Sequence, residues 1–255
     1  MLKFKPLRVL FVLLFVAGIA LYYFQMAEIW MLISLVFLYL ILLAWGSSTI
    51  KSQFFTPTIS KLKNEKQIAI TFDDGPHTNT PEILEILDKH NAKATFFCIG
   101  SQVEAHPEIA KLIVEKGHTI GNHSYSHSTS WGWMSTKKIK KEISQTQESI
   151  AKVTGVKPHL FRPPFGVTNP QVSRALKQSE LQTVGWNLRS LDTKIKEPKK
   201  LWERVKSKLE GRAIILFHDT MPHSNKVVNA LLNTCAKRGI EIVPIDTLSQ
   251  NNVHA

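Results

Sequence analysis

Hydrophobic residues are unevenly distributed along the chain, and its N-terminal part is the most apolar. Nearly continuous apolar runs extend from Leu7 to Phe24 and from Ile29 to Trp45, with Gln25 and Glu28 between them. Each run is close to the ~20 residues that an α-helix needs to cross the hydrocarbon core of a bilayer. The pattern predicts two transmembrane helices joined by a tight hairpin, so that residues 1–50 form a membrane anchor.

A cleaved signal peptide is the alternative interpretation of this segment, with Lys3, Lys5 and Arg8 as its basic start. However, the apolar stretch continues too far and lacks a clean small-x-small cleavage site. Lysines also follow the second run, so the positive-inside rule places both ends of the hairpin in the cytoplasm. If only one run spans, the rest of the chain faces outward. A membrane localisation is predicted, and the side of the membrane stays open.

After the apolar runs, residues 51–66 are polar and contain Pro57, which predicts a linker. From residue 67 to residue 250, short apolar runs alternate with amphipathic segments. Strands are predicted at Gln67–Phe72, Ala94–Ile99, His118–Gly121, His159–Phe161, Leu181–Trp186, Ala213–Phe217 and Ile240–Val243, and helices begin near Thr80, Pro107, Thr136, Pro170, Pro198 and Lys226. Such alternation indicates βα units and a parallel sheet, either closed into a barrel or doubly wound.

The positions of the polar residues favour the barrel. Residues with catalytic potential fall just past the predicted strands, and these are Asp73, Asp74, His123, Arg162, Asp192 and His218. In a barrel of parallel strands, the carboxyl ends all meet at one mouth. We therefore expect these side chains to share one site.

Part of this group has the composition of a metal site. Asp73 and Asp74 are adjacent carboxylates before a Gly-Pro break, and holding them together is costly unless a cation lies beside them. His123 and His127 are four residues apart and can point to one side of a helical turn or a tight loop. One carboxylate and two imidazoles leave coordination positions open for water and substrate. The sequence therefore predicts a catalytic divalent metal ion.

Each of these signals is weak when taken alone, because Asp-Gly-Pro is also turn chemistry and a His-x-x-x-His spacing is common. The other histidines are interpreted as structurally unremarkable, and His118 as a surface or strand-edge residue. Cys98 lies in an apolar run and is expected to be a buried free thiol. A disulfide with Cys235 remains open at this point.

The chain is basic, with 32 Lys and Arg against 20 Asp and Glu and a formal net charge of +12. Nearly all of this excess lies after residue 50. A basic surface suits anionic lipid head groups or acidic cell-wall polymers. Nucleic acid is not expected as a partner, because the lysines are scattered and no nucleic-acid motif accompanies them.

Four motifs in order resemble those of one family. They are T-F-D-D-G-P at Thr71–Pro76, H-S-Y-S-H at His123–His127, R-P-P-F-G at Arg162–Gly166 and L-F-H at Leu216–His218. This series resembles the polysaccharide deacetylase family, carbohydrate esterase family 4. The resemblance implies an α/β fold with a distorted (β/α)7-type barrel, here behind the transmembrane hairpin, with residues 67–250 as catalytic domain. It also implies a divalent metal, zinc or else cobalt or another transition metal, and hydrolysis of N-acetyl groups on the amino sugars of a glycan such as peptidoglycan.

The resemblance also implies roles for individual residues. Asp74, His123 and His127 would hold the metal. Asp73 would be the general base oriented by Arg162, and His218 the general acid paired with Asp192. The substrate-binding residues would be Phe165, through its backbone N–H as an oxyanion donor, with Pro163 and Leu216. Each role has a chemical reason, since water attack needs a base and a leaving nitrogen needs a proton.

The sequence departs from the family pattern at one motif. Arg189 and Thr193 stand where the family often has Asp and Trp, and Trp186, Trp131 or Trp133 could replace that tryptophan in the acetyl pocket. Three other functions remain open: a deacylase of a lipid-linked sugar on the cytoplasmic face, a catalytically silent membrane-tethered glycan-binding protein, and a basic adaptor. The oligomeric state is not indicated.

Overall fold

The computed structural model describes residues 2–245, and it begins with two long apolar helices. Helix α1 spans Phe4–Tyr23 and α2 spans Ile29–Ser48, each of 20 residues. Their mean hydropathies are 2.1 and 2.4, and almost none of their side chains is buried inside the protein. A helix of this length measures about 30 Å, the thickness of a bilayer's hydrocarbon core. The two helices could therefore span a membrane, as the sequence predicts.

The rest of the described chain alternates strands with helices. The strands are β1 Gln67–Asp73, β2 Thr95–Cys98, β3 Thr119–Asn122, β4 Leu160–Phe161, β5 Gln182–Thr183, β6 Leu188–Arg189, β7 Ile214–His218 and β8 Glu241–Ile242. The helices are α3 Thr80–Lys89, α4 Gly100–Ala105, α5 Pro107–Glu115, α6 Thr136–Thr154, α7 Pro170–Leu176, α8 Pro198–Ser207 and α9 Ser224–Arg238. Proline occupies the first turn of α3, α5, α7 and α8, where its missing N–H costs nothing.

All strand pairings between these elements are parallel, in the order β5-β4-β3-β2-β1-β7-β6, and β8 pairs with the start of β1. The sheet curls into an incomplete barrel with helices outside it. The fold is therefore the distorted (β/α)7-type barrel that the resemblance implies. Strand β1 lies between β2 and β7, and its last residues face the mouth.

Four details differ from the sequence-based expectations. The predicted strand Leu181–Trp186 is shorter in the structure, where it is β5. Strand β6, which follows after a turn, was not predicted, since its two residues are too few to give a pattern. The short helix α4 was also missed. Helix α6 is capped by Ser135, whose side chain accepts the Lys138 N–H, whereas the sequence predicts Thr136 as the cap. His118 is buried, not at the surface.

The core lies between the sheet and the outer helices. Phe72, Phe96 and Phe217 pack side by side across β1, β2 and β7, with ring centroids 4.9 and 6.1 Å from the Phe72 ring. Cys98 and Cys235 are both buried and free, so the disulfide that sequence left open does not form. The core is thus apolar and compact beneath the mouth.

The segment predicted as a linker packs against the barrel. Phe54 and Leu62 are only 2% and 3% exposed. Ile59 forms a parallel bridge with Val184, and the Gly185 N–H donates to the Ile59 carbonyl. Residues 51–66 are therefore a packed connection between hairpin and barrel. The proposed domain boundaries stay a prediction.

Candidate active site

A cavity lies at the carboxyl ends of the strands, where the sequence predicts the site. Its walls include Asp73, Asp74, His123, His127, Phe165, Gly166, Trp186, Arg189, Thr193, Leu216 and His218. Arg162 and Asp192 are fully buried behind this lining and contact it. Pro163 is buried and is not among the lining residues. The structure thus brings together every predicted site residue except Pro163.

Three potential metal ligands, Asp74, His123 and His127, lie close together at the floor of the cavity. The Nε2 atoms of His123 and His127 each lie 3.5 Å from Oδ1 of Asp74. One ligand atom from each of the three residues lies within 4.8 Å of the others. Within residues 2–245, nothing hydrogen-bonds to the buried Asp74 Oδ1. A buried carboxylate oxygen without a partner, facing two imidazole nitrogens, fits a divalent cation held between them.

The ligand atoms are oriented by their surroundings. His123 Nδ1 lies 2.7 Å from the Arg162 carbonyl, so Nδ1 carries the proton and Nε2 keeps its lone pair for a metal. Burial alone would raise the pKa of Asp74, but the interaction with His123 and the charges of His127 and His218 outweigh it and lower that pKa to about 2. Asp74 is therefore ionised and ready to bind a cation.

The two histidines are presented by a tight loop rather than by a helix. Ser124 and His127 both have positive φ, at 64° and 44°. Glu142 on α6 accepts the backbone N–H groups of Tyr125 and Ser126, at 3.1 and 2.8 Å. Positive φ in non-glycine residues is strained and persists only where the surroundings enforce it. Glu142, which sequence reasoning missed, provides that support.

Asp73 has a different environment from its neighbour Asp74. Its Oδ1 accepts a 2.6 Å hydrogen bond from the Arg162 guanidinium, which is itself fully buried. Arg162 also donates to the Gly185 carbonyl at 2.8 Å and lies over the Phe97 ring at 4.1 Å. Because one oxygen of Asp73 is fixed by this contact, the other is left facing the cavity. That geometry suits a base that does not ligate the metal.

On the neighbouring strand β7, where His218 is in register with Asp73, His218 is paired with Asp192. His218 Nδ1 lies 2.8 Å from Asp192 Oδ1, and its backbone N–H donates to Oδ2 at 2.7 Å. Burial alone would lower the pKa of His218, but the hydrogen bond and charge of Asp192, helped by Asp73 and Asp74, outweigh it and raise that pKa to about 9. His218 can therefore hold a proton at neutral pH.

The second wall contains the positions that depart from the family pattern. Arg189 and Thr193 line the cavity, as does Trp186. A Cβ added at Gly166 would lie 2.5 Å from the Trp186 ring, so these two residues are in close contact. By contrast, Trp131 is buried away from the cavity and Trp133 is 92% exposed. Of the three tryptophans suggested by the sequence, Trp186 is the one that reaches the site.

Sequence reasoning overlooked several supporting residues. Asp192 Oδ2 also accepts the Ser224 hydroxyl, and its carbonyl lies 2.8 Å from His223 Nε2. His118, expected at the surface, is 5% exposed, and its Nδ1 accepts the Ala94 N–H. Burial and the charge of Lys93 lower the pKa of His118 to about 4, so it is a neutral core residue.

Comparisons with known proteins agree with this geometry. A family model described as polysaccharide deacetylase matches residues 60–184. The peptidoglycan-N-acetylglucosamine deacetylase PgdA of Listeria monocytogenes is 35% identical over 193 residues, 75% of this chain and 41% of the relative. The chain therefore spans about two fifths of that relative's length.

Solved structures give the same result. The peptidoglycan deacetylase PdaC from Bacillus subtilis is 33% identical, with a TM-score of 0.68 over 73% of this chain and 91% of that one. A CE4 family pseudoenzyme from Bacillus anthracis is 29% identical, with a TM-score of 0.71 over 75% of this chain and 68% of that one. Similar folds thus occur in proteins described as deacetylases and in one described as a pseudoenzyme.

Proposed function

The chain belongs to the polysaccharide deacetylase family, and from this premise we propose that it is a metal-dependent hydrolase that removes N-acetyl groups from amino sugars of an envelope glycan such as peptidoglycan. The observation that carries the proposal is the unpartnered Asp74 oxygen facing His123 and His127 beside the Arg162-bound Asp73. Names of relatives support the substrate class.

Asp74, His123 and His127 would hold the divalent ion, with zinc preferred and cobalt or another transition metal as alternatives. When bound, such an ion lowers the pKa of a water molecule and polarises a carbonyl group. Asp73 accepts the proton of the attacking water, since Arg162 fixes one carboxylate oxygen and leaves the other free. Arg162 stays protonated and serves to orient Asp73.

His218 supplies the second proton transfer. Its Nε2 points into the cavity 3.9 Å from Asp74 Oδ2, while Asp192 holds Nδ1. From this position it donates a proton to the sugar nitrogen as the amide bond breaks, giving acetate and a free amine. We assign the Phe165 backbone N–H to stabilise the oxyanion, and this assignment is supported by Phe165 and Leu216 both lining the cavity.

We assign residues 1–50 to a membrane anchor and residues 67–250 to the catalytic domain, joined by the packed segment 51–66. The apolar helices α1 and α2 support this assignment. The C-terminal end of the predicted catalytic domain, residues 246–250, lies outside the described residues 2–245. In this arrangement the partners are a membrane and an N-acetylated glycan.

Acetate release from N-acetylglucosamine oligomers, with and without a chelator, tests the proposal. We expect activity to vanish on metal removal and to return when zinc is added. Asp73→Asn should retain the metal and lose turnover by about 10²–10⁴-fold, whereas His123→Ala should lose both. His90→Ala, just after the end of α3 and outside the cavity, is the matched control. Full activity after metal removal would contradict the proposal.

One observation favours a second candidate, a silent glycan-binding protein: the similarity to a pseudoenzyme. It would retain glycan on a column and release no acetate at any metal concentration. The free oxygen of Asp73 and the protonated state of His218 argue for catalysis instead. The acetate assay separates the two functions.

A further inference from the structure

One wall of the cavity contacts the end of the apolar hairpin, at the last turn of α2. The Thr168 N–H donates to the Ser47 carbonyl in the last turn of α2, at 3.2 Å. Thr168 is two residues beyond Gly166, which lines the cavity and contacts Trp186. Next along the same wall, Gly185 lies against Ile50, since a Cβ added there would be 3.1 Å from the Ile50 side chain. The barrel therefore contacts the hairpin beside its mouth.

This contact has little freedom to move. Phe54 lies against α2, and a Cβ added at Gly46 would come within 2.2 Å of its ring. The Phe4 N–H donates to the Phe54 carbonyl at 3.0 Å, and the Trp45 ring lies 6.1 Å from the Phe54 ring. The barrel is therefore seated on the hairpin and not suspended from a flexible tether. We call this contact, made by Gly46, Ser47, Phe54 and Thr168, the seat.

The seat fixes the height of the cavity above a membrane. If α2 crosses the hydrocarbon core, its 20 residues span about 30 Å, and Ser47 lies at the border of that core. Two residues of extended chain cover at most about 7 Å, so Gly166 is within about 10 Å of that border. The head-group region on each side is ~5–7 Å thick. The cavity wall is therefore at, or just above, the head groups.

An exposed tryptophan lies beside the same contact. The Trp131 indole donates to the Val167 carbonyl, and the Asn169 side chain donates to the Gly132 carbonyl. These bonds hold the turn Trp131–Trp133 against the loop that carries Thr168. Trp133 is 92% exposed. Exposing so much apolar surface to water is unfavourable, whereas tryptophan is enriched at the membrane interface. Its position predicts a contact with lipid head groups.

We propose that the catalytic cavity opens at the membrane surface and that its substrate is an N-acetylated amino sugar attached to a membrane lipid. The inference rests on the proposed deacetylase function and membrane anchor, and it specifies which glycan the site reaches. A sugar tens of ångströms from the bilayer lies beyond the cavity because the seat prevents the barrel from moving outward. Trp133 would add a second contact with the same lipid surface.

The first test compares two substrates in one bilayer. The zinc-loaded full chain is placed in lipid nanodiscs with N-acetylglucosamine linked directly to a lipid, or held off the same lipid by fifteen prolines. Such a rigid spacer adds about 45 Å. We expect at least tenfold faster acetate release from the directly linked sugar. Equal rates would overturn the inference and leave the deacetylase function intact, whereas no acetate from either sugar would count against the function.

Two matched variants connect this ratio to the seat. Gly46→Ala places a methyl group against the buried Phe54 ring, whereas Gly18→Ala meets the end of the flexible Leu32 side chain within the hairpin. We expect Gly46→Ala to bring the rate ratio severalfold closer to one and Gly18→Ala to leave it unchanged. The same loss of preference in both variants would contradict a role for the seat.

A second measurement needs no substrate. A fluorescent dye attached to Trp133→Cys should be quenched by lipids that carry a spin label at the head group. The control is Val156→Cys, also exposed, at the other end of the 19-residue α6, about 30 Å away. The native Cys98 and Cys235 are buried and should not react with the dye. Equal quenching at both positions would overturn the inference, even if the protein proved inactive.

Discussion

Two carboxylate–histidine groups lie side by side at the mouth, on the neighbouring strands β1 and β7, and their contacts are opposite in kind. On one side, Asp74 Oδ1 is buried without a hydrogen bond, 3.5 Å from two imidazole nitrogens. On the other, Asp192 lies 2.8 Å from His218 and accepts three further hydrogen bonds, from the His218 and Thr193 backbone and the Ser224 hydroxyl. The first group lacks a partner, and the second is saturated.

This difference indicates what each group binds. A buried carboxylate with an unused oxygen is costly unless a cation occupies the space before it. A carboxylate whose oxygens are all engaged has no room for a metal, and its charge instead stabilises a proton on the imidazole. The same two residue types thus make an ion site in one group and a proton donor in the other.

Asp74→Asn should have the largest effect, because it removes the charge of the carboxylate that lacks a hydrogen-bond partner and keeps the shape of the side chain. We expect loss of bound zinc and a fall in kcat/KM of at least about 10³-fold. Metal content after gel filtration and acetate release measure the two effects. Asp88→Asn, an exposed ion-paired carboxylate on α3, is the control. Normal zinc content in Asp74→Asn would show that the unused oxygen is not a ligand.

Asp192→Asn should act on turnover without affecting the metal. The amide has one acceptor oxygen where the carboxylate has two, so it accepts only part of the hydrogen bonds made to Asp192 and no longer stabilises protonated His218. We expect kcat to fall on the order of 10²-fold at neutral pH, with unchanged zinc content. A parallel loss of zinc would mean that the two carboxylate–histidine groups are not independent.

The sequence predicted this site better than it predicted the supports behind it. Asp74, His123 and His127 could be found because metal ligands have few alternative residue types and lie in compact motifs. The role of Glu142 could not be found, since its contact with Tyr125 and Ser126 depends on where α6 packs. The same holds for Ser224, which reaches Asp192 only through the fold.

The fold shows a similar division. Long periodic elements such as α6 and α9 were predicted within a few residues, because burial of one face dictates their pattern. The two-residue β6 carries no periodic signal, and its pairing with β7 is set by the closing of the sheet. His118 was misplaced because a single histidine gives no indication that an Ala94 N–H will need its nitrogen.

Glu142→Gln should have an intermediate effect on the metal side. The variant keeps the size of the side chain but weakens the acceptor that holds the Tyr125 and Ser126 N–H groups, so the strained His127 loop loosens. We expect zinc affinity to fall about 10–100-fold, with turnover restored at saturating zinc. Zinc titration measures this change. Glu148→Gln, on the same helix, is the control, and equal affinities in both variants would rule out the loop support.

The smallest effect is the pH dependence of the unfolding free energy that the Asp192–His218 pair gives to the metal-free protein. His218 has its pKa raised from 6.5 to about 9, despite burial, by Asp192 and the other carboxylates. A raised histidine pKa contributes stability that is fully present below about pH 6.5 and is lost as the pH rises through about 9. We therefore expect chelated wild-type protein to lose roughly 1–2 kcal/mol of unfolding free energy between pH 7 and 9.5. Urea unfolding across this range, compared with Asp192→Asn, isolates the contribution. An identical slope in both proteins would show that Asp192 does not hold the proton on His218.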